Sequence, residues 1–360
     1  MQEKTLNFTA LVHNTKEIPQ LEVSQVKNAP YLKYGENNLF PQYLYDLYLH
    51  SSQFSSIIQI MKNYVIGNGI VSEFPLKVVN RKYETFDNLI EKLVLDYLIF
   101  GGFCLQIIRN AKGDIAELYW VDFRYVRTNF EEDKVYYSDE WSKGRRTPKV
   151  YDRFIKDAKQ SNSMLYYKGR NTRIQYPTPS YISALTSIEI STQIPEYHLN
   201  CLENGFLPGG IINFNNGSNL SEEVMDEIEE RIKEKFTGTK NASKILLSFN
   251  DNTEHSTTFE RLADDGNIDV YQNLSKSVEK DIYTVFRINK LLLGDSSENT
   301  GFNKQSYIES FTIYNKTVIQ PIQSEIEEVI NFALGKGSLH FDEFQVNWNE
   351  EGEDNSNIIE

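Results

Sequence analysis

The sequence predicts an α+β fold: helices first, then antiparallel strands, then a pair of long helices bracketing a small β-α-β unit, and a final kinked helix. Three observations carry this. Apolar spacing is helical from about residue 40 to 100 and turns strand-like at Gly101-Gly102. Two long helical patterns, over 179–204 and about 268–288, flank a run of strand, acidic helix and strand. The last helical pattern carries Pro321 in its interior, and an interior proline removes a backbone bond and kinks a helix.

The elements follow in order. In "NNLFPQYLYDLYLHSSQF", Asn38 or Pro41 opens a short helix bearing Leu44, Leu47 and Tyr48. A second helix carries Ile57, Ile60, Met61 and Tyr64 and ends at Gly67 and Gly69. A third takes Asp87 as its N-cap and Leu89, Leu93 and Tyr97 as its stripe. "FCLQIIRNAKGDIAELYWVDF" reads as a hairpin turning at Gly113, and "KVYYSD", "KVYDRFI" and "SMLYYKG" as short aromatic strands. The loop "SKGRRTPK" is either a solvated hairpin tip or a basic binding patch.

From Pro179 the first long helix runs to Asn204, with Ile182, Leu185, Ile188, Ile194, Tyr197 and Cys201 on its apolar side and Pro195 inside it. "GGIINFN" is a strand, "SEEVMDEIEERIKEKF" a helix capped by Ser221, and "SKILLSFN" the return strand. After a polar link, a second long helix aligns Val270, Leu274, Val278, Ile282 and Val285. A loop, "NKLLLGDSSENTGFNK", leads to a helix starting near Ser306. It bears Tyr307, Phe311, Tyr314 and Val318 before Pro321, and Ile322, Ile326, Val329 and Ala333 after it. The strands of the central module enter and leave on one side, which predicts that the two long helices lie side by side. Their spare faces ask for neighbours, most simply further copies of the chain.

Composition bounds the function. The chain has 360 residues, 40% of them apolar, with 22 Tyr and 21 Phe, enough for a packed core. Its net charge is 37 − 51 = −14, and residues 342–360 hold seven acids and no Lys or Arg; the last part of this acidic tail, "NEEGEDNSNIIE", lacks periodicity and reads as a disordered end. Two isolated cysteines, Cys104 and Cys201, read as free thiols of a reducing compartment. "MQEKTLNFTALVHN" is not a secretory signal and no run reaches the ~20 apolar residues of a membrane span, so a soluble, intracellular product is expected.

Between Arg173 and Arg231 there is no Lys or Arg but nine acids. Glu189, Glu196 and Glu203 are seven apart, nearly two helical turns, and share one face. Such a face is either an ordinary solvated surface or a negative wall. A sleeve for moving DNA needs the latter, because strong Lys/Arg contacts to phosphate would brake sliding. Catalytic signatures are missing: there is no G-x-x-x-x-G-K-[ST], H-E-x-x-H or G-x-S-x-G, and the five histidines are scattered singly. Neither catalysis, metal nor cofactor is expected. "SVEK" lacks its partner motifs, and "LADDGNID" lacks calcium-loop spacing.

The string "YPTPSYISALTSIEISTQIPEYHLNCLENGFLPGGIINF", the acidic helix, "SKILLSFN" and "VEKDIYTVFRINKLLLGDSSENTGFNKQSYIESFTIYNKTVIQPIQSEIEEVINFAL" resemble, in order and spacing, the portal proteins of tailed bacteriophages, in particular the short portals of myophages and defective prophages. "LVLDYLIFGGFCLQIIRNAKGDIAELYWVDFRYVR" is similar to the same family's wing. The resemblance implies a portal-like fold: a wing over 1–178, a first stem helix over 179–205, a clip over 206–250, and a link with the second stem helix over 251–288. It further implies a tunnel loop over 289–303, a long helix running from wing toward crown over 304–336, and over 337–360 an acidic tail with a reduced or absent crown.

It also implies a closed ring of about twelve copies at one capsid vertex, serving as the channel for packaging and ejection of double-stranded DNA. The partners would be the terminase large subunit, a head–tail adaptor and the major capsid or scaffolding protein. The ring would reside in the virion after assembly in the host cytoplasm, with no membrane. Lys290, Gly294, Asn299, Gly301, Asn303 and Lys304 would form the loop facing DNA, touching phosphates singly or merely solvated. Glu189, Glu196 and Glu203 would form the acidic channel face, and Met225, Glu229, Arg231 and Ile232 the clip interface. Two alternatives stand beside this reading: a connector or tail ring without DNA passage, and a metal-dependent DNA-processing enzyme.

Overall fold

A computed structural model describes residues 23–25, 29–142, 147–156, 158, 160–170, 174–204, 210–214, 246–249, 258–261, 267–294 and 304–345. Among these, residues up to 185 and from 282 onward form one compact unit, and 186–281 belong to a second. The mixture of helices and antiparallel strands is the expected α+β class.

The larger unit opens with a hairpin, β1 (Val23–Gln25) and β2 (Leu32–Tyr34). Helix α1 (Phe40–His50) follows, with Pro41 in its first turn, where a missing N–H costs nothing. Helix α2 (Ser52–Ile66) is capped by Ser51, whose Oγ accepts from the Phe54 N–H at 3.2 Å. It buries Phe54, Ile57, Ile58, Met61, Tyr64 and Val65 and leaves Ile60 half-buried. After β3 (Gly69–Val71) comes α3 (Phe86–Phe100), capped by Thr85 and not by Asp87. Thr85 Oγ1 reaches the Asn88 N–H at 3.2 Å, which leaves Asp87 as a first-turn acid facing the helix dipole. Gly101 ends α3 at φ 77°, and a Cβ there would lie 2.7 Å from the Thr178 carbonyl oxygen.

A six-stranded sheet packs on α3. Its strands are β4 (Gly102–Arg109), β5 (Ile115–Val121), β6 (Val126–Thr128), β7 (Lys134–Tyr137), β8 (Lys149–Arg153) and β9 (Asn162–Lys168). The spatial order is β5-β4-β9-β8-β7-β6, antiparallel except for β8 beside β9. The β4–β5 hairpin turns at Gly113 (φ 95°), where the sequence placed it. Cys104 is a buried free thiol, and the Cys201 side chain and the loop 143–146 lie outside the described residues.

In the second unit, described by itself, α4 (Leu185–Asn204) starts after a 3₁₀ turn at Ile182–Ala184, so the helix proper begins later than Pro179. Its carboxyl end at Asn204 is as expected. Strands β10 (Gly210–Phe214) and β11 (Leu246–Phe249) pair in parallel, as a β-α-β unit requires. The helix expected between them, with Met225, Glu229, Arg231 and Ile232, lies outside the described residues. The polar link is not all loop: β12 (Thr258–Arg261) pairs antiparallel with β10 and makes a three-stranded sheet. "TFER" alternates too briefly to register as a strand until a neighbour offers it a ladder. Helix α5 (Asn267–Phe286) ends by burying Val278, Ile282 and Phe286. Phe286 thus replaces Val285, because the stripe advances by four residues rather than three.

The chain then returns to the larger unit as α6 (Lys304–Tyr314), a π turn (Asn315–Ile319) and α7 (Gln320–Leu334). Pro321 has no N–H to give the Thr317 carbonyl, and its ring would collide there. The π turn relieves this, with the Gln320 N–H reaching back five residues to Asn315 O. One extra residue in the turn rotates everything downstream. The buried set becomes Ile319, Gln323, Ile326, Ile330 and Ala333, while Val318, Ile322 and Val329 are half-buried.

The expected acidic tail over 337–360 also needs correction. Residues 337–345 fold back, with β13 (His340–Asp342) pairing with β3 and burying Ser338, Leu339 and Phe341. Glu327 holds it by accepting from the Phe341 N–H at 2.7 Å. The burial available to Leu339 and Phe341 outweighs the local acidity of Asp342 and Glu343.

Two outcomes are expected. A Cβ at Gly67 would fall 2.0 Å from the Asp342 carbonyl oxygen, and Gly67 sits at φ 63°. Gly67→Ala therefore displaces β13 and costs about 3 kcal/mol or more in urea unfolding. Asp96 is buried in α3 and accepts from Trp120 Nε1 at 2.8 Å. Burial raises its pKa well above the ordinary 3.8, with the Trp120 hydrogen bond opposing in part. From pH 3.8 up to that raised value the folded chain holds a proton the unfolded chain has released, so stability falls as pH rises through this window. Asp96→Asn removes the effect, and its melting temperature gains on the wild type as pH is raised from 4 to 8.

Candidate channel elements

The two long helices are rooted in the larger unit by aromatic side chains. Tyr34 stacks on Tyr176, ring centroids 4.1 Å apart and planes 5° from parallel. The Tyr34 hydroxyl donates to Pro177 O and the Tyr176 hydroxyl to Leu32 O, both at 2.6 Å. Arg127, fully buried on β6, lies beneath. Its guanidinium donates only to carbonyl-type oxygens: Asn38 Oδ1 at 2.7 Å, Asn38 O at 2.5 Å, Val126 O at 2.6 Å and Arg124 O at 3.0 Å. Burial pushes its pKa down to about 10, which leaves the cation protonated at neutral pH. Tyr181, whose hydroxyl donates to Ile99 O, and Phe286, in the last turn of α5, both pack on Phe54 of α2. The start of one long helix and the end of the other thus share a single anchor. Near these roots, Ser187 Oγ donates to Asp281 Oδ2 at 3.3 Å.

The three acids of the first long helix do not form a uniform face. Glu189 is buried, 8% exposed, and accepts from Gln193 Nε2, whereas Glu196 is exposed. Glu189 lies in the rooted half with Leu185 and Ile188, and Pro195 intervenes before Glu196. The side chain of Glu203 lies outside the described residues.

The loop expected over 289–303 begins as a built turn. Lys290–Leu293 form a 3₁₀ turn capped by Asn289, whose Oδ1 accepts from the Leu291 N–H at 3.0 Å. Leu291 and Leu292 are buried. Gly294 closes the turn at φ 82°, with nothing within 4 Å of a Cβ placed there. Lys290 Nζ sits 5.6 Å from the centre of the Tyr283 ring, so this part of the loop is a fixed foot. Lys304 is exposed in the first turn of α6, and Asn299, Gly301 and Asn303 lie outside the described residues.

Tyr64 ties the two sides together. Its hydroxyl donates to Leu292 O at 3.3 Å and lies 3.1 Å from the Tyr307 hydroxyl on α6. Its ring packs on Phe311, Tyr314 and Phe344. Burial first, and the Tyr307 hydrogen bond second, hold its hydroxyl far above the usual tyrosine range. In the sequence Tyr64 is one stripe residue among several, and Arg127 is an unremarkable strand arginine. Their roles depend on distant partners, Asn38 at 89 residues from Arg127 and Leu292 and Tyr307 at 228 and 243 residues from Tyr64, which no local pattern announces. Among the described residues, no three His, Cys, Asp or Glu side chains group to hold a metal, and no helix is long and apolar enough to cross a membrane.

The chain combines an α+β unit with two long helices and a three-stranded sheet. Its fold is shared with the neck of an empty gene transfer agent particle (TM-score 0.54, 12% identity, 83% of this chain and 82% of that one). It is also shared with an HK97-family phage portal protein from Corynebacterium diphtheriae (TM-score 0.51, 12% identity, 79% and 89%). In sequence, the probable portal protein of Escherichia phage P2 is 25% identical over 256 residues, covering 71% of this chain and 70% of that protein. An uncharacterized Rickettsia felis protein is 25% identical over 271 residues, 73% and 66% of the two chains. Residues 74–356 match the phage portal protein family, and the chain belongs to it.

Tyr64→Phe removes the hydroxyl and keeps the ring. It is expected to cost about 1 kcal/mol in thermal unfolding, the net worth of an ordinary hydrogen bond, with far-UV dichroism unchanged.

Proposed function

We propose that this chain is the portal subunit of a phage or a related DNA-carrying particle. About twelve copies close into a ring at one capsid vertex, and double-stranded DNA passes through its axis during packaging and ejection. The single observation that carries this reading is family membership over residues 74–356. The family is structural, and no reaction is assigned to the chain.

In this reading α4 and α5 are the stem, and the sheet of β10, β11 and β12 is the core of the clip, which faces the terminase large subunit during packaging and the head–tail adaptor afterwards. The larger unit is the wing, placed against capsid or scaffolding protein. The ring is assembled in the host cytoplasm and kept in the virion. Exposed Glu196 and the acids of the clip helix keep the bore negative, so phosphates are centred without being gripped. Buried Glu189 is withdrawn from that role and shapes the root of the stem. In this reading the tunnel loop over 289–303 is the part that touches DNA, and the 3₁₀ turn Lys290–Leu293 is its fixed foot. Gly294 supplies a left-handed hinge that a side chain would strain, and Lys304 supplies a cation at the far end.

Deleting residues 294–301 is expected to leave rings intact by negative-stain imaging while lowering the DNA content of particles. Particles with full DNA content would remove the loop from the mechanism.

A further inference from the structure

Two turns of the larger unit share an unusual set of features. The first, between Val78 and Thr85, is fastened to the β5 edge of the six-stranded sheet. The Leu118 N–H donates to Val79 O at 2.7 Å, and Asn80 Nδ2 donates to Leu118 O at 3.0 Å. Asn80 Oδ1 also accepts from the Lys82 N–H at 3.0 Å, so the turn is held from inside. It presents Arg81, Lys82 and Tyr83 to solvent. The Tyr83 ring is 86% exposed at φ 60°, and the Arg81 side chain is 85% exposed even while Nε donates to Glu117 at 2.8 Å.

The second turn joins β6 to β7, at the opposite end of the sheet. Phe130 is 70% exposed, Glu131 and Asp133 are exposed, and Asn129 Nδ2 donates to both carboxylates, at 3.0 and 2.6 Å. Glu132 stands at φ 55°, with its own carboxylate taken by Arg153 and Lys168. Each turn therefore carries a solvated aromatic ring, a non-glycine residue in the left-handed region and an asparagine that locks the backbone. One is basic and the other acidic.

A left-handed non-glycine residue costs on the order of 1–2 kcal/mol, and such strain persists where surroundings over-determine it at a functional contact. Strand order puts the turns at the two ends of a six-stranded sheet, about 24 Å apart across the strands at the usual inter-strand spacing. Complementary patches on opposite edges of one molecule cannot meet each other. They can meet between copies, head to tail, and a heterologous contact of this kind builds a ring when its rotation closes.

We propose that the Arg81-Lys82-Tyr83 turn of one subunit docks against the Phe130, Glu131 and Asp133 turn of the next copy of this chain. This rests on the ring reading above and deepens it by naming a contact. The aromatic rings supply apolar area at the contact, and the charges set its polarity and direction.

Charge reversal tests it. An acidic variant (Arg81→Glu with Lys82→Glu) and a basic variant (Glu131→Lys with Asp133→Lys) are purified, and assembly is followed by mass photometry against multiples of 41.8 kDa. Alone, each variant sets like charges against each other, and the concentration for half-assembly is expected to rise about tenfold or more. Mixed one to one, the two are expected to alternate and recover rings, an outcome misfolding would not produce. Variants that each assemble as well as the wild type, or a mixture that fails to recover, would overturn the contact while leaving the portal reading standing. A wild-type chain that forms no ring at any concentration would instead remove the portal reading, and this contact with it.

Discussion

The fold of the larger unit depends on one buried cation. Arg127 is fully enclosed and faces no carboxylate; its N–H groups are met by carbonyl oxygens of residues 38, 124 and 126 and by the Asn38 side chain. A buried charge is tolerated only when its hydrogen bonds are made, and here that requirement joins the turn before α1, through Asn38, to the outermost strand β6 and the turn leading into it. The Tyr34 hydroxyl, on the ring stacked against Tyr176, holds Pro177 O, on the segment that leads to α4.

A second constraint acts at the same root of the helix pair. Tyr181 and Phe286 meet on Phe54, and Tyr64, ten residues further along α2, holds both the foot after α5 and the start of α6. Helix α2 thus holds the chain just before α4 and just after α5. The π turn belongs to the same arrangement. Pro321 forbids a regular helix, and the wider turn carries Ile319 and Gln323 onto α2, where Gln323 Nε2 donates to Val65 O at 2.9 Å.

Charge is distributed with the same economy. Inside the larger unit several groups other than Arg127 are paired or neutralised: Glu132 by Arg153 and Lys168, Asp122 by Arg124, and Asp96 by taking up its proton more readily. Excess negative charge is left where the chain has no basic residue to answer it, along the first long helix and on to Arg231 in the module that follows, and in the last residues of the chain. A protein of net charge −14 that handles DNA is then no contradiction, since passage requires weak contact and affinity would oppose it.

The sequence by itself determined the class of fold, the two long helices, the parallel pair β10 and β11, the hairpin at Gly113 and the family, because each is written in local periodicity, turn chemistry or linear order. It also placed Lys290, Gly294 and Lys304 beside a loop. Only tertiary structure decided which of those positions are fixed. Lys290 is seated on Tyr283, Glu189 is buried although its spacing matches that of exposed Glu196, and residues 340–342 become a strand within a stretch whose composition reads as tail. Strand β12 and the register of α7 were equally hidden, one waiting for a partner to pair with and the other rotated by a single π turn. The physical reason is common to all of them. Periodicity records which face of an element is apolar, but burial, pairing and the seat of a charge are set by residues far away in the chain, and those contacts exist only once it has folded.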